Sequence, residues 1–191
     1  GTLAEIIKFW VSRMIMFGLY LAGDVPFKTV YLWSMVVDAK GQKMSKSKGN
    51  VVNPTEFVEK YGADALRMSL LYGIAPGSRI PLAEDKVRAM RNFANKVWNV
   101  ARYVESIRAD PTSPSASLGA SDEWILGELD KTIRTVTEGL EKFRFNQAVE
   151  EIYDFIWHRF ADVYIEKTKD RKEEASPTLH RVLEESLKLL H

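Results

Sequence analysis

A short basic segment carries the residues best suited to chemistry. Lys43 and Lys46 stand three residues apart, with Ser45 and Ser47 each next to Lys46, in the sequence KMSKSKGN at residues 43–50. Lysine ammonium groups are compact charges with three donors, which suits phosphate oxygens, and serine hydroxyls add further donors. If the segment forms a single turn, both ammonium groups can converge on one polyanion. A solvated, lysine-rich surface turn is the other interpretation that these residue types allow.

The neighbouring residues would place this segment where α/β sheets bind ligands. Residues 27–37, FKTVYLWSMVV, are apolar almost throughout, which predicts a strand covered on both faces in a parallel sheet. A turn over residues 38–41 follows, and Gly41 and Gly49 can act as hinges. Open α/β sheets bind ligands at the carboxyl ends of their strands. Charge that builds on phosphate as a bond breaks would be stabilised there.

Three helices accompany this strand in the first part of the chain. Thr2, with Glu5 three residues later, fits a capping box, and Gly23 stops the helix that follows. Asn53 and Pro54 are typical of a second helix start. The predicted helices cover residues 3–22, 54–61 and 63–72.

The second part of the chain predicts a helix bundle. Apolar side chains recur at helical spacing in four stretches, which indicates four amphipathic helices packed around one core. A Pro- and Ser-rich segment at residues 110–121 predicts a loop between the first two. The predicted helices cover residues 83–108, 122–142 and 145–169, and run from Ser176 to the end of the chain.

Composition excludes several kinds of site. The 191 residues contain no cysteine, which excludes disulfides, thiolate metal sites and cysteine nucleophiles. The three histidines are too few and too scattered to form an all-histidine metal site. A net charge of +1 with 46% hydrophobic residues is typical of a soluble globular protein. Because no apolar stretch is long enough to span a membrane, we expect a cytoplasmic protein with no membrane partner and no metal site.

Residues 43–47, KMSKS, are identical at all five positions to the KMSKS motif of class I aminoacyl-tRNA synthetases. The context also resembles that family, with a strand before the motif and Gly49, Asn50 and a helix after it. In that class a helical anticodon-binding domain follows the loop, at the place where this chain predicts its four helices. The resemblance therefore extends over the whole chain.

Within the class, the sequence is most similar to the valyl-tRNA synthetases. Isoleucyl- and leucyl-tRNA synthetases share the loop and parts of its flanks, so they remain alternatives, as does a helical RNA-binding module without chemistry. The stretches that carry the valyl resemblance are FWVSRMIM at residues 9–16, VPFKTVY at 25–31, RNFANKVWN at 91–99 and IYDFIW at 152–157.

The resemblance implies a mainly α chain made of two pieces. Residues 1–78 would be the C-terminal part of a Rossmann-type α/β catalytic domain, with one or two strands, the KMSKS loop and short helices. Residues 79–191 would be an anticodon-binding helical bundle, truncated at its C-terminus. The family's H-I-G-H motif and editing domain are absent from this sequence, so we predict that the chain alone forms no adenylate.

The resemblance also implies a reaction and its partners. The parent enzyme would activate valine with ATP, accompanied by Mg²⁺, and transfer it to tRNA(Val) as a monomer. Lys46 foremost, supported by Lys43, would act on the ATP phosphates, and Met44 would be a packing anchor. The nucleotide-binding residues would be Lys43, Met44, Ser45, Lys46 and Ser47.

The helical part would bind the anticodon arm of the tRNA. Lysine and arginine hold the RNA backbone, and aromatic side chains stack on unpaired bases. The primary backbone candidates are Arg88, Arg91, Lys96 and Arg102, with Arg159, Lys167, Lys169 and Arg171 as further ones. The aromatic candidates are Trp98, Trp124, Tyr153, Trp157 and Tyr164, most of which we expect to pack in the core or at an interface.

Overall fold

The computed structural model describes residues 1–107 and 118–191. Most of the predicted loop over residues 110–121, and Arg108 at the predicted end of the helix before it, lie outside the described residues. The described strands are β1 (Met35–Val37) and β2 (Arg79–Pro81). The described α-helices are α1 (Ser12–Phe17), α2 (Pro54–Tyr61), α3 (Ala63–Ser69), α4 (Glu84–Ser106), α5 (Ala120–Glu141), α6 (Phe145–Asp154), α7 (Glu166–Thr168) and α8 (Lys172–Leu190).

The chain forms two compact units. The first contains Gly1–Asn53 and Gly73–Glu84, and the second contains Pro54–Tyr72 and Asp85–His191. The mainly α composition is confirmed, because the one described sheet consists of two three-residue strands.

The first unit begins with a helical stretch over residues 4–22. A 3-10 turn leads into a π-helical segment, then α1, then a second π-helical segment that ends at Gly23, where φ is 71°. The predicted capping box is wrong. The Thr2 N–H donates to the Tyr31 carbonyl at 2.8 Å, and the Glu5 carboxylate pairs with Lys43 instead.

The strand predicted over residues 27–37 is wrong in length, because only Met35–Val37 forms β1. This strand pairs in parallel with β2, and Leu32 makes only an isolated parallel bridge to Thr2. A strand extends only as far as a neighbouring backbone bonds to it. Among the described residues β2 is the only strand beside β1, so the ladder has three residue pairs although the apolar sequence is much longer.

The second unit contains the predicted four-helix bundle. The first, second and fourth helices of the bundle are α4, α5 and α8. The third is continuous over residues 145–168 and consists of α6, the π-helical segment Phe155–Ile165 and α7. No helix among the described residues has the length and apolarity that crossing a membrane requires. Fully buried side chains from all four helices form the core and include Val104, Ile125, Leu129, Phe155, Phe160, Leu179 and Val182.

The last helix begins at Lys172, four residues before the predicted start at Ser176, so Pro177 lies inside it. Pro177 has no N–H to donate to the Glu173 carbonyl, so the helix loses one backbone hydrogen bond there. Ala175 and Leu179 are buried in the bundle core. Their burial favours continuing the helix through Pro177.

The helices α2 and α3 belong to the second unit, together with the bundle. Met68 packs against the bundle core, and the rings of Tyr72 and Tyr153 lie 4.8 Å apart. These contacts explain why the compact units do not follow the predicted division after residue 78. Domains at residues 1–78 and 79–191 stay a prediction.

Candidate functional site

The basic segment begins at the carboxyl end of β1. Asp38 donates its N–H to the Gln42 carbonyl at 3.0 Å, and an antiparallel bridge joins Val37 to Lys43. Gly41 has a φ of 77°, a conformation that glycine adopts without strain. This tight turn brings Lys43 back beside the end of the strand.

The loop contains one 3-10 turn, Lys46–Lys48. Ser45 before it is extended, with φ −149° and ψ 148°, and Gly49 after it has a φ of 64°. The N–H of Lys48 donates to the Ser45 carbonyl, and the N–H of Gly49 donates to the Lys46 carbonyl, both at 3.2 Å. A single turn therefore forms, but it begins at Lys46 and does not lie between the two motif lysines.

The two motif lysines have different surroundings. The Lys43 ammonium lies 2.7 Å from a Glu5 carboxylate oxygen. Lys46 is exposed, and its ammonium has no ion-pair or hydrogen-bond partner within residues 1–107 and 118–191. The same is true of Lys48. An anion can therefore bind Lys46 directly, whereas Lys43 must first leave Glu5.

The other motif side chains bond within the loop and its flanks. The sulfur of the half-buried Met44 accepts a hydrogen bond from the Val52 N–H at 3.4 Å. This bond connects the loop to the segment that follows it. The hydroxyl oxygens of Ser45 and Ser47 lie 3.2 Å apart, so one donates to the other. The second hydroxyl hydrogen stays available to a ligand.

Asn50 closes the loop, a role that its uncharged side chain did not indicate. Its Oδ1 accepts the N–H of Ser45 at 2.9 Å, and its Nδ2 donates to Asp38 Oδ2 at 2.8 Å and to the Lys43 carbonyl at 3.2 Å. The sequence signal was an amide side chain directly after Gly49, because asparagine often hydrogen-bonds to nearby backbone in turns.

Asp38 is the partner that holds Asn50. Its Oδ1 accepts the N–H groups of Lys40 at 3.0 Å and of Gln42 at 2.8 Å. The hydrogen bond from Asn50 contributes most to lowering the pKa of Asp38, and together with the bonds from Gln42 and Lys40 it outweighs the opposing effect of desolvation. Asp38 is therefore an ionised acceptor at neutral pH.

The residues of the loop do not fit a Mg²⁺ site. Mg²⁺ prefers an octahedral set of oxygen ligands with carboxylates among them, whereas the loop offers ammonium groups, hydroxyls and a thioether. Both oxygens of Asp38 already accept hydrogen bonds. In the part of the chain that the structure describes, no three histidine or carboxylate side chains are grouped so as to hold a metal ion.

The four primary RNA-binding candidates all lie on α4, and two of them are paired. Arg88 lies 2.5 Å from Asp85, and Lys96 lies 2.8 Å from Asp162. Arg91 and Arg102 are exposed and have no side-chain partner among the described residues. The unpaired arginines are therefore the stronger candidates for contacts with phosphate.

An exposed tryptophan lies between these two arginines. Trp98 is 68% exposed and is separated by seven residues from Arg91 and by four from Arg102, so all three lie on one face of the helix. Asn95 on the same face is also exposed. We call Arg91, Asn95, Trp98 and Arg102 the α4 stripe.

The other aromatic candidates are less available. Tyr164 is fully buried, and the rings of Tyr153 and Trp157 stack with Phe93 at centroid distances of 4.7 and 6.3 Å. Trp124 is 37% exposed, with the Lys167 ammonium 5.5 Å from its ring centre. Tyr164 lies in the core, and Tyr153 and Trp157 pack against it, in agreement with the expectation that most of these aromatics pack in the core or at an interface.

Two of the further cationic candidates are engaged inside the bundle. The Arg159 guanidinium lies 2.8 Å from Glu128 and 2.7 Å from Glu151, and its side chain is only 17% exposed. Arg171 lies 2.8 Å from the buried Asp122. These ion pairs leave little of either guanidinium for RNA.

Two family models match separate parts of the chain. The model of class I tRNA synthetases (I, L, M and V) matches residues 2–80, which include the basic loop. The model of the anticodon-binding domain of tRNA ligase matches residues 122–191, which include the last three bundle helices. The α4 stripe lies between the two matched regions.

A curated relative covers the whole chain. The valine–tRNA ligase of Dehalococcoides mccartyi (strain CBDB1) is 44% identical over 197 residues, which cover 100% of this chain and 22% of the relative. The chain thus spans about a fifth of the length of the curated relatives it matches.

Two solved structures share the fold. LeuRS from Agrobacterium radiobacter K84 agnB2, in a ternary complex with tRNA and LeuAMS, superposes with a TM-score of 0.74 at 24% identity, over 99% of this chain and 26% of that one. Mycobacterium tuberculosis methionyl-tRNA synthetase, in complex with methionyl-adenylate, gives 0.78 at 21% identity, over 97% and 39%. The predicted fold class is confirmed, and the chain belongs to the class I tRNA synthetase family, in which it matches the valine–tRNA ligases over its whole length.

Proposed function

We propose that the chain acts as part of a valine–tRNA ligase, with its basic loop binding ATP while valyl-adenylate forms. The observation that carries this proposal is the position of Lys46, exposed and unpaired in the KMSKS loop at the end of a parallel strand. The identity of 44% with a valine–tRNA ligase supports valine as the amino acid over isoleucine or leucine.

Formation of valyl-adenylate requires positive charge near the ATP phosphates. A carboxylate oxygen of valine attacks the α-phosphorus of ATP, the bond to the bridging oxygen breaks, and pyrophosphate leaves with the bonding electrons. The Lys46 ammonium would donate to the oxygens on which this charge builds, and such an interaction accelerates the reaction if it is stronger in the transition state. Lys43 would add a second charge after leaving Glu5.

The remaining loop residues would assist the two lysines. A free hydroxyl hydrogen on Ser45 or Ser47 can donate to a phosphate oxygen, and Met44 would hold the loop through Val52. We propose that Mg²⁺ arrives with the nucleotide as its counter-ion, because the loop itself lacks the oxygen ligands that this ion prefers.

The α4 stripe would bind tRNA(Val). Arg91 and Arg102 can neutralise phosphates, which releases counterions and supplies sequence-independent affinity. Trp98 can stack on an unpaired base between them. We also propose that the enzyme acts in the cytoplasm and as a monomer.

The test is a pair of variants in a full-length valine–tRNA ligase that carries this sequence. We expect Lys46→Ala to lower the rate of valyl-adenylate formation by about 10²–10³, the usual loss for one transition-state charge partner. Lys48→Ala is the matched control, since it removes another exposed, unpaired lysine two residues away, and it should change the rate by less than about threefold. Equal rates for the parent and both variants in pre-steady-state kinetics would refute the role of Lys46.

A further inference from the structure

We propose that Asn50 is a positioning residue for the basic loop and that it acts through Asp38. The proposal rests on the proposed function of the loop as the ATP-binding element. Asn50 touches no reacting atom in this scheme, and its role is to set where the Lys46 ammonium stands before the nucleotide arrives.

The amide of Asn50 joins three parts of the chain. Its oxygen accepts the N–H of Ser45, and its nitrogen donates one hydrogen to the Lys43 carbonyl and the other to Asp38. All the hydrogens of this amide are therefore used. No other side chain of this size offers one acceptor and two donors in a plane.

Asp38 extends the same frame to the turn before the loop. Its second oxygen accepts the N–H groups of Lys40 and Gln42, so one carboxylate bonds to the residues that enter the loop and, through Asn50, to the residues that leave it. The entry and the exit of the loop are thus closed by a single pair of side chains.

This closure matters because the other side-chain contacts of the loop are single bonds at Lys43, Met44 and the two serines, and none of them joins its entry to its exit. Gly41 and Gly49, one before the motif and one after it, both adopt left-handed backbone, and glycine has the largest conformational freedom to lose. The turn at Lys46–Lys48 has only two backbone hydrogen bonds. Ordering Lys46 in advance lowers the entropy cost of placing its charge against the phosphates.

The charges near this frame favour a negative Asp38. The ammonium of Lys40 attracts it, and Lys43 is neutralised by Glu5. Lys46 and Lys48 are exposed cations on the following turn. A second carboxylate placed at residue 50 would meet Asp38 directly and would be unfavourable while both are ionised.

The first test is the pH profile of Asn50→Asp in the full-length ligase. The variant keeps the acceptor for Ser45 but loses both donors and sets two carboxylates against each other. We expect adenylate formation to fall by about 10–100-fold near pH 8 and to recover as the pH is lowered toward about 6. Because two adjacent carboxylates repel each other, one of them takes up a proton at a higher pH than a lone carboxyl group does. The protonated oxygen can then donate a hydrogen bond again. Asn50→Ala should be impaired without this recovery.

The second test exchanges the two side chains. In the double variant Asp38→Asn with Asn50→Asp, the amide at residue 38 can donate to the carboxylate at residue 50, which still accepts the N–H of Ser45. We expect the double variant to form adenylate at least about tenfold faster than Asn50→Asp near pH 8, although the hydrogen bond to the Lys43 carbonyl stays lost. Asp38→Asn alone should stay impaired because two amide donors then face each other. A double variant no better than the single ones would overturn the proposal.

Lys46→Ala, measured in the same series, separates this inference from the proposed function. If Lys46→Ala is impaired while Asn50→Asp and Asn50→Ala match the parent at every pH, the positioning role is wrong and the ATP loop stands. If Lys46→Ala itself matches the parent, the proposed function is wrong. Thermal melting of each variant shows whether a lost rate reflects unfolding, and a variant that fails to fold leaves the exchange of Asp38 and Asn50 as the deciding measurement.

Discussion

Glu5 and Lys43 are 38 residues apart in sequence, yet their side chains form an ion pair of 2.7 Å beside the basic loop. The pair divides the motif lysines into one that has a carboxylate partner and one, Lys46, that has none among the described residues. The negative charge of Glu5 therefore competes with any phosphate for Lys43.

Replacing Glu5 with glutamine should make Lys43 easier to recruit. Both side chains are more than half exposed, so the pair contributes at most about 1 kcal/mol. We expect Glu5→Gln in the full-length ligase to lower the KM for ATP by up to about fivefold, which corresponds to that energy, with kcat unchanged. ATP–pyrophosphate exchange at several ATP concentrations measures both constants.

The matched control is Glu59→Gln, which removes an exposed carboxylate on α2. It should leave both constants unchanged. The difference between Glu5→Gln and the parent should shrink at high ionic strength, because salt screens exposed charges. A higher KM in Glu5→Gln would mean that Glu5 assists binding of ATP rather than competing with it.

The arginines on α4 should differ in their effect on tRNA binding. We expect Arg91→Ala and Arg102→Ala each to reduce the slope of log binding constant against log salt by about 1, the loss of one phosphate contact. Arg88→Ala should change the slope less, because Asp85 already neutralises that guanidinium at 2.5 Å.

Filter binding or fluorescence titration of tRNA(Val) at several salt concentrations gives these slopes for the full-length ligase. Thermal melting should show no loss of stability in any of the three variants, since all three arginines are exposed on α4. Equal slopes for the parent, Arg91→Ala and Arg102→Ala would remove the α4 stripe from the tRNA interface.

The buried ion pair between Asp122 and Arg171 should make the bundle sensitive to acid. Burial opposes ionisation of Asp122, but hydrogen bonds from Arg171, Tyr164 and the Gly119 N–H outweigh it, so the pKa lies below the ordinary value of 3.8. A lowered pKa means that the ionised form stabilises the fold at every pH above the ordinary value. That stability is lost as the pH falls below 3.8 through the lowered folded-state value.

We expect Arg171→Ala to destabilise the chain by about 3 kcal/mol at neutral pH, because it leaves a buried carboxylate without its counter-charge. The difference between the parent and Asp122→Asn should be constant from about pH 7 to about pH 5 and should shrink toward about pH 3. Urea unfolding at each pH measures both effects. Lys172→Ala, at the exposed neighbour of Arg171, should stay within about 0.5 kcal/mol of the parent.

Local sequence patterns were sufficient to predict the four bundle helices, the start of α2 and the basic loop. Apolar spacing predicted all four bundle helices, and Pro54 marked the start of α2, because the residues that decide a helix lie within a few positions of one another. The motif at residues 43–47 and its flanking Gly41 and Gly49 were also visible, since a tight turn is a property of a few consecutive residues. The left-handed backbone of the two glycines was seen only in the structure.

Contacts between distant residues were decided only by the tertiary structure. The length of β1 depended on how far β2 runs beside it, and the pairing of Lys43 with Glu5 depended on two segments 38 residues apart. The frame made by Asp38 and Asn50 likewise needed the loop to return to its own beginning. One sequence determines which groups can donate, accept or carry charge, but which of them meet depends on the path of the backbone between them, and that path is set by packing over the whole unit.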